Sequence, residues 1–377
     1  MKVLVTGGAG FIGSWLVDSL ISAGNAVTVL DNLSPQIHGS VPRLDATWSD
    51  REAGVEFIRA DVRDKDALDA ALTSCDAVVH LAAETGTGQS MYRVSHYYDV
   101  NQQATAALLE LIATKHSHVR RVVLASSRSV YGEGAYRLED KIVVPGSRDP
   151  NRLKAGLFEP TDEHGNSLTL IPTPESATPQ PSSIYAATKL ANETLGRVMA
   201  EAYGTTVVAL RFQNVYGERQ SLKNPYTGIL SIFSNRMRQN LPINIFEDGK
   251  ESRDFVHVSD VVKAIALALE AELPSYTTIN VGSGVPTSVL DVAAELRTCL
   301  DSQSEFQITG DFRAGDIRHC YADGARARSL LGFSPKVSLR DGLEAFSRWV
   351  ETQAIPEDRS AQAQSEMASL GLGKISA

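Results

Sequence analysis

Tyr185 and Lys189 stand four residues apart in Tyr185-Ala-Ala-Thr-Lys189, inside a helical pattern running from Ile184 to Tyr203 that would carry both on one face. A phenol ordinarily ionises near pH 10, too high for a base at neutral pH, and a neighbouring ammonium favours phenolate. Upstream, Ser126-Ser127-Arg128-Ser129-Val130-Tyr131-Gly132 follows the apolar run Arg121–Ala125, so Ser127 sits at a strand end where its hydroxyl can hydrogen-bond the oxygen the phenol acts on. A Tyr-x-x-x-Lys pair alone is a common feature of surface helices. Joined to a serine-bearing strand end, it reads as acid–base chemistry on an alcohol.

The chain opens with a second constellation. Val3-Leu4-Val5-Thr6 runs into Gly7-Gly8-Ala9-Gly10-Phe11-Ile12-Gly13 and then a helical pattern. Gly7 permits a tight turn, Gly10 lets backbone approach a pyrophosphate, and Gly13 allows close helix–strand packing. The pyrophosphate would rest on the helix N-terminus. Asp31 ends the next strand, where a carboxylate binds ribose hydroxyls and repels the extra phosphate of NADP; no Arg or Lys follows before Arg43. NAD is the expected cofactor, and its cationic nicotinamide would further favour a Tyr185 phenolate.

The elements that position these groups alternate. Candidate strands are Lys2–Thr6, Ala26–Leu30, Val55–Arg59, Ala77–Leu81, Arg121–Ala125 and Thr206–Arg211, nearly continuous in Val, Ile and Leu, as strands buried on both faces are. Helical stretches separate them, notably Phe11–Ala23, Asp99–Lys115 and Ile184–Tyr203. This order predicts an α/β Rossmann-type doubly wound parallel sheet with a smaller C-terminal mixed α/β substrate domain. Residues 1–180 form the dinucleotide-binding domain, with 133–181 as an insertion and the sheet completed by about 181–217 and 255–272. Residues 218–355 mainly hold the substrate, and 356–377 form a tail open to disorder that adds little to the core. The insertion carries seven of the 15 prolines, and its length and place between the Ser and Tyr motifs suggest a lid.

The 377 residues carry 36 Lys+Arg against 45 Asp+Glu, a net charge of −9, which argues against nucleic acid or an anionic membrane as partner. No apolar run reaches the roughly 20 residues needed to span a bilayer. Three scattered cysteines, Cys75, Cys299 and Cys320, suggest neither disulfides nor a metal site. The start, MKVLVTGGAG, has no secretory-leader pattern, and a cytoplasmic location is expected.

The sequence resembles the extended short-chain dehydrogenase/reductase family, in its nucleotide-sugar epimerase/dehydratase branch. The resemblance rests on TGGAGFIG (Thr6–Gly13), DNL (Asp31–Leu33), DV (Asp61–Val62), HLAA (His80–Ala83), SSRSVYG, YAATK, RFQNVYG (Arg211–Gly217), RDFVHV (Arg253–Val258), NVGSG (Asn280–Gly284) and RAGD (Arg313–Asp316). It implies tightly bound NAD held by Gly7, Gly10, Phe11, Ile12, Gly13, Asp31 and Asn32. Asp61 and Val62 would lie along the adenine, Leu81, Ala82 and Ala83 along the pyrophosphate and ribose, and Asn101, Gln213, Tyr185 and Lys189 towards the nicotinamide. Ser127, Tyr185 and Lys189 match the catalytic positions. Thr85, Ser127, Asn214, Asn224, Phe246, Arg253, Arg313 and Asp316 match or adjoin positions that hold the nucleotide sugar, Arg253 and Arg313 as a clamp on its diphosphate. A homodimer is implied as well.

One departure narrows the reaction. The 4,6-dehydratases of the branch follow their catalytic Thr with an Asp-Glu pair, and here those positions are Arg128 and Ser129. GQSMY (Gly88–Tyr92) and NPYTG (Asn224–Gly228) are similar to 4-epimerases of dTDP-L-rhamnose. The resulting expectation is a nucleotide-sugar 4-epimerase of a dTDP- or UDP-hexose, a 6-deoxyhexose included. A uronate decarboxylase, a 4-dehydrogenase or reductase, and a non-catalytic NAD-binding regulator stay open.

Overall fold

The computed structural model describes residues 1–39, 55–224, 228–313, 315–356, 366–367 and 369–374. Arg43, the Pro-Tyr-Thr of NPYTG, Ala314 and tail residues 357–365, 368 and 375–377 lie outside the described residues.

Among the described residues the main sheet is parallel and seven-stranded, in the order Tyr276–Val281, Thr206–Phe212, Arg121–Ser127, Ala77–His80, Lys2–Thr6, Ala26–Asp31, Val55–Arg59. The chain builds outward from Lys2–Thr6 in one direction, then returns past it to build in the other. That reversal opens a crevice at the carboxyl ends of Lys2–Thr6 and Ala77–His80, where such sheets take their ligands.

Each face of the sheet is buried against helices, which accounts for the unbroken apolar runs. Val3 and Val5 pack with Leu16, Val17 and Leu20 of the Phe11–Ser22 helix and with Val261 and Ile265 of the Val258–Glu270 helix. Leu4, between them, points the other way, into a cluster with Leu68, Leu108, Leu111 and Ile112. Full burial of such a side chain contributes about 1.5–3 kcal/mol. The helix predicted over Ile184–Tyr203 has those bounds. Ser183 starts it by accepting the Ala186 N–H at 3.2 Å, and Gly204, at φ +72°, ends it. A third cluster, with Leu230, Phe233, Ile245, Leu296, Leu343 and Phe346, forms the core of the smaller C-terminal part.

Three expectations need correction. The last sheet strand is Tyr276–Val281; the 255–272 stretch supplies instead the end of strand Ser252–His257 and a covering helix. The 133–181 insertion does not sit where a lid would, since none of its residues lines the cavity of about 500 Å³ at the sheet reversal. It folds as a small antiparallel sheet of Tyr136–Leu138, Lys141–Val143 and Thr169–Leu170, fixed to the C-terminal part by buried charge. Arg318 is fully buried, and its guanidinium holds Glu159 of the insertion (2.6 Å), Glu247 (2.9 Å) and Asp248 (2.7 Å). Arg148 of the insertion reaches the same Glu247 at 2.7 Å. The described part of the tail also packs: Met367 is 4% exposed, and Gly373–Lys374 pairs antiparallel with Phe312–Arg313. No helix among the described residues is long and apolar enough to cross a membrane.

Replacing Arg318 with Met would leave Asp248 and Glu159 without this partner and Glu247 with Arg148 alone. The expected cost is about 3 kcal/mol in urea unfolding, the low end for a broken buried pair because Asp248 and Glu159 are partly exposed. Limited proteolysis should then cut within 133–181; an unchanged midpoint and cleavage pattern would mean that the network does not hold the insertion.

Candidate active site

The glycine loop forms one end of a cavity of about 500 Å³. Gly7 turns at φ +69°, and a Cβ there would stand 2.7 Å from the Ala82 nitrogen. A Cβ on Gly13 would come within 2.3 Å of the Gly7 carbonyl oxygen, so neither position tolerates a side chain without shifting backbone. Gly10 caps the Phe11–Ser22 helix with no side-chain acceptor, which leaves the positive helix end open to an anion. Asp31 is buried at its strand end. One carboxylate oxygen accepts the Leu33 N–H at 2.8 Å and the other the Ala9 N–H at 3.0 Å, so this side chain shapes the loop it is expected to serve. Asn32 donates to Asp61 at 3.0 Å, and the Arg63 guanidinium holds the Asp61 carboxyl well below the usual range. Phe11, Ile12, Val62, Leu81, Ala82 and Ala83 complete this wall.

Asn101 does not line the cavity. It is buried behind the wall, accepting the Glu84 N–H at 2.8 Å and donating to the Glu84 carbonyl and the Thr188 hydroxyl, both at 3.1 Å. It ties the 81–87 loop to the helix of Tyr185. The turn that aims it, Tyr98–Gln103, is a π-helix, a distortion that often marks functional positions.

Ser127, Tyr185 and Lys189 meet on the cavity wall, as their spacing predicts. Lys189 Nζ donates to the Ala125 carbonyl at 2.8 Å and lies 5.8 Å from the Tyr185 ring centre. Burial pushes the amine down to about 8. Burial pushes the Tyr185 phenol up, while a hydrogen bond with Ser127 and the charge of Arg128 pull it back. Ser127 Oγ also accepts from the Ser129 hydroxyl at 2.9 Å. His80, bonded to Thr6 at 2.8 Å and Thr105 at 3.0 Å, is held down to about 3 by burial and the charge of Lys189, and so is a neutral core residue.

Thr85, Gln213 and Asn214 line the same cavity as Ser127. Both polar atoms of the Gln213 amide are buried with no partner among the described residues, which fits a ligand that completes them. Asn224, Phe246, Arg253, Arg313 and Asp316 do not line this cavity. Arg313 stacks 5.1 Å from the Phe246 ring centre and bonds Asp316 at 2.8 Å, so those three form a group of their own. Arg253 places its amino groups on the carbonyls of Ser252, Ile317 and Arg318 at 2.7–2.9 Å. The residue that motif reading passed over is Arg128. It lines the cavity beside Ser127 and donates through Nε to Asn214 Oδ1 at 2.7 Å. Its place directly after Ser127 is the available signal, where the motif comparison registers only the absence of a carboxylate.

A profile of the NAD dependent epimerase/dehydratase family matches residues 3–151 and 161–282. The chain is 40% identical over 353 residues to a dTDP-L-rhamnose 4-epimerase of Burkholderia thailandensis, covering 93% of this chain and 94% of that one. Among solved structures, the UDP-glucose 4-epimerase of Thermotoga maritima with UDP-glucose superposes with a TM-score of 0.74 at 30% identity, over 93% of this chain and 99% of that one. The UDP-glucuronic acid 4-epimerase of Bacillus cereus, in complex with UDP-glucuronic acid and NAD, gives 0.76 at 28% identity over the same shares. A glycine loop at a sheet reversal, a Ser–Tyr–Lys group facing it and a profile spanning most of the sheet agree: the chain belongs to the NAD dependent epimerase/dehydratase family.

Proposed function

We propose that this protein is an NAD-dependent nucleotide-sugar 4-epimerase acting on a dTDP- or UDP-hexose, 6-deoxyhexoses included. The observation that carries this reading is the meeting of Ser127, Tyr185 and Lys189 on one cavity wall with no carboxylate directly after Ser127 to eliminate water. The similarity to a dTDP-L-rhamnose 4-epimerase supports the 6-deoxyhexose, and the similarity to UDP-sugar epimerases supports the wider class.

NAD, when bound, supplies the reversible oxidation of the substrate's C4. Gly7–Gly13 and Asp31 hold the dinucleotide, with Asn32, Asp61, Val62 and Leu81–Ala83 along its adenosine half. Tyr185, as phenolate, accepts the proton of the C4 hydroxyl, and Ser127 hydrogen-bonds the same oxygen. Tyr185 returns that proton after the hexose has turned about its diphosphate link and presents its other face. Gln213 faces the nicotinamide, Asn214 holds the nucleotide sugar from the cavity wall, and Phe246, Arg313 and Asp316 extend that grip from outside the wall. Arg253, its amino groups engaged, positions the 317–318 backbone. The nucleotide is gripped firmly and the sugar loosely, as a turning intermediate requires. A cytoplasmic location is supported by three free thiols. A homodimer is supported by Val94 and Tyr98, 43% and 50% exposed and one helical turn apart.

A substrate carrying deuterium at C4 should give product with the label still at C4 and no solvent hydrogen on the ring carbons. Label at C6 with solvent hydrogen at C5 would indicate a dehydratase, turnover in proportion to added NAD(H) a dehydrogenase or reductase, and carbon dioxide release a decarboxylase. Tyr185→Phe should retain bound NAD and lose about 10²–10⁴-fold in kcat; activity within a few-fold of wild type would remove Tyr185 from the mechanism. Sedimentation equilibrium should return twice the 40.7 kDa chain mass, and a single-chain mass would exclude the dimer.

A further inference from the structure

Arg128 is a cation without a carboxylate. Among the described residues no Asp or Glu lies within ion-pairing distance of it. The acids nearest in charge effect are committed elsewhere: Glu133 accepts the Arg318 and His319 backbone N–H groups, and Asp316 pairs with Arg313. Its Nε is anchored on Asn214, and its Nη1 is buried with no acceptor among the described residues. A guanidinium left so costs stability, because a buried donor without a partner forfeits its hydration. Such a cost is retained where the charge serves a site.

We propose that Arg128 is a positioning residue of the proton-transfer centre, a fixed positive charge that favours the Tyr185 phenolate alongside Lys189. The proposal deepens the 4-epimerase reading and rests on it. The two cations differ in kind. Lys189, brought down to about 8, sits close to its own titration, whereas Arg128, lowered only to about 10 by burial and by Arg253, keeps its charge throughout the working range. The groups facing Tyr185 are few: Lys189 on its own helix, Ser127 and Arg128 after the Arg121–Ser127 strand, and Tyr97 from the Val94–Tyr97 helix. Glu84, in the loop that lines the cavity, is paired with His96 at 3.0 Å. Facing Arg128 are Arg253, Asp316, Glu133 and the Cys320 thiol, itself pushed up by burial and so neutral. Among the described residues Arg128 and Lys189 are the arginine and lysine that line the cavity with the Tyr185 phenol.

The sign of the effect follows. Removing a positive charge beside an acid whose ionised form is negative raises its pKa, so the rising limb of activity moves to higher pH. The test compares Arg128→Gln and Arg128→Lys in the NAD-loaded protein. In Arg128→Gln the rising limb of kcat should move up by about one unit, with kcat about tenfold lower at neutral pH and the deficit closing as pH rises. Arg128→Lys should restore most of the limb. An ultraviolet titration of tyrosinate, with Tyr185→Phe subtracted, should show the same displacement without any substrate, so this reading can fail separately from the 4-epimerase reading. An unmoved limb and an unmoved tyrosinate titration in Arg128→Gln would overturn the proposal, whether KM rises or not. Should Arg128→Gln fail to fold, the near-isosteric Arg128→Met takes its place in the same two measurements.

Discussion

The hydrogen bond from Lys189 Nζ to the Ala125 carbonyl at 2.8 Å joins the helix that carries the phenol to the strand whose end carries the hydroxyl. The rest of the site depends on that junction. Ser127 lies two residues beyond the accepting carbonyl and Tyr185 one helical turn before the donating lysine, so the bond bears on the placement of both side chains at once. Packing makes the approach possible. Gly196, farther along the same helix, has no side chain where Leu124 and Val207 press in, and a Cβ there would stand 2.9 Å from each. The arrangement of Ser127, Tyr185 and Lys189 is therefore a property of helix-on-sheet packing, more rigid than a loop would be.

Below the junction lies a second layer of order. Glu193, on the same helix, takes both ends of the Arg211 guanidinium at 2.7 and 2.9 Å and a hydrogen bond from Ser126, the neighbour of Ser127. Arg211 also donates to the Tyr131 hydroxyl, and Tyr131 in turn to Asn280 Oδ1, both at 2.8 Å. Every charge in this layer is matched, the condition under which buried ions hold an arrangement and do not loosen it. The insertion reaches this layer as well, through the Thr173 carbonyl and the Glu175 carboxylate on Asn280. It braces the layer beneath Ser126 and Arg211.

What was legible in the sequence follows from this arrangement. The inner strands read clearly because both faces are buried, and the Ile184–Tyr203 helix because Ser183 and Gly204 mark its ends. The glycine loop and the Ser–Tyr–Lys group were visible because steric need and chemistry restrict the residue types there. Strand Tyr276–Val281 was not, since it lies at the sheet edge and mixes Tyr, Thr and Asn with apolar residues. The role of the insertion was hidden for another reason: Arg148, Glu159 and Arg318 look like solvated surface charges until folding brings together residues far apart in the chain. Arg253 resembles a phosphate ligand by motif, yet its hydrogen bonds are decided by carbonyls of a distant segment. Met367 gave no sign that its segment would return to pack beside Gly88.

The π-helical turn at Tyr98–Gln103 has a consequence for how this site can change over evolutionary time. A π turn holds one residue more than the α turn it replaces, so losing one residue from this stretch would restore a regular helix with its flanks facing as they do now, and the turn itself would be reset. Thr105 and Leu108, in the regular helix that follows, would keep their packing, but Asn101, inside the turn, would lose the placement that brings it to Glu84 and Thr188. The loop along the cavity and the helix of Tyr185 would then lose their shared tie, although no residue touching the ligand had been altered. Length in this segment is thus constrained more tightly than residue identity, and a single-codon deletion there would weigh more than most substitutions.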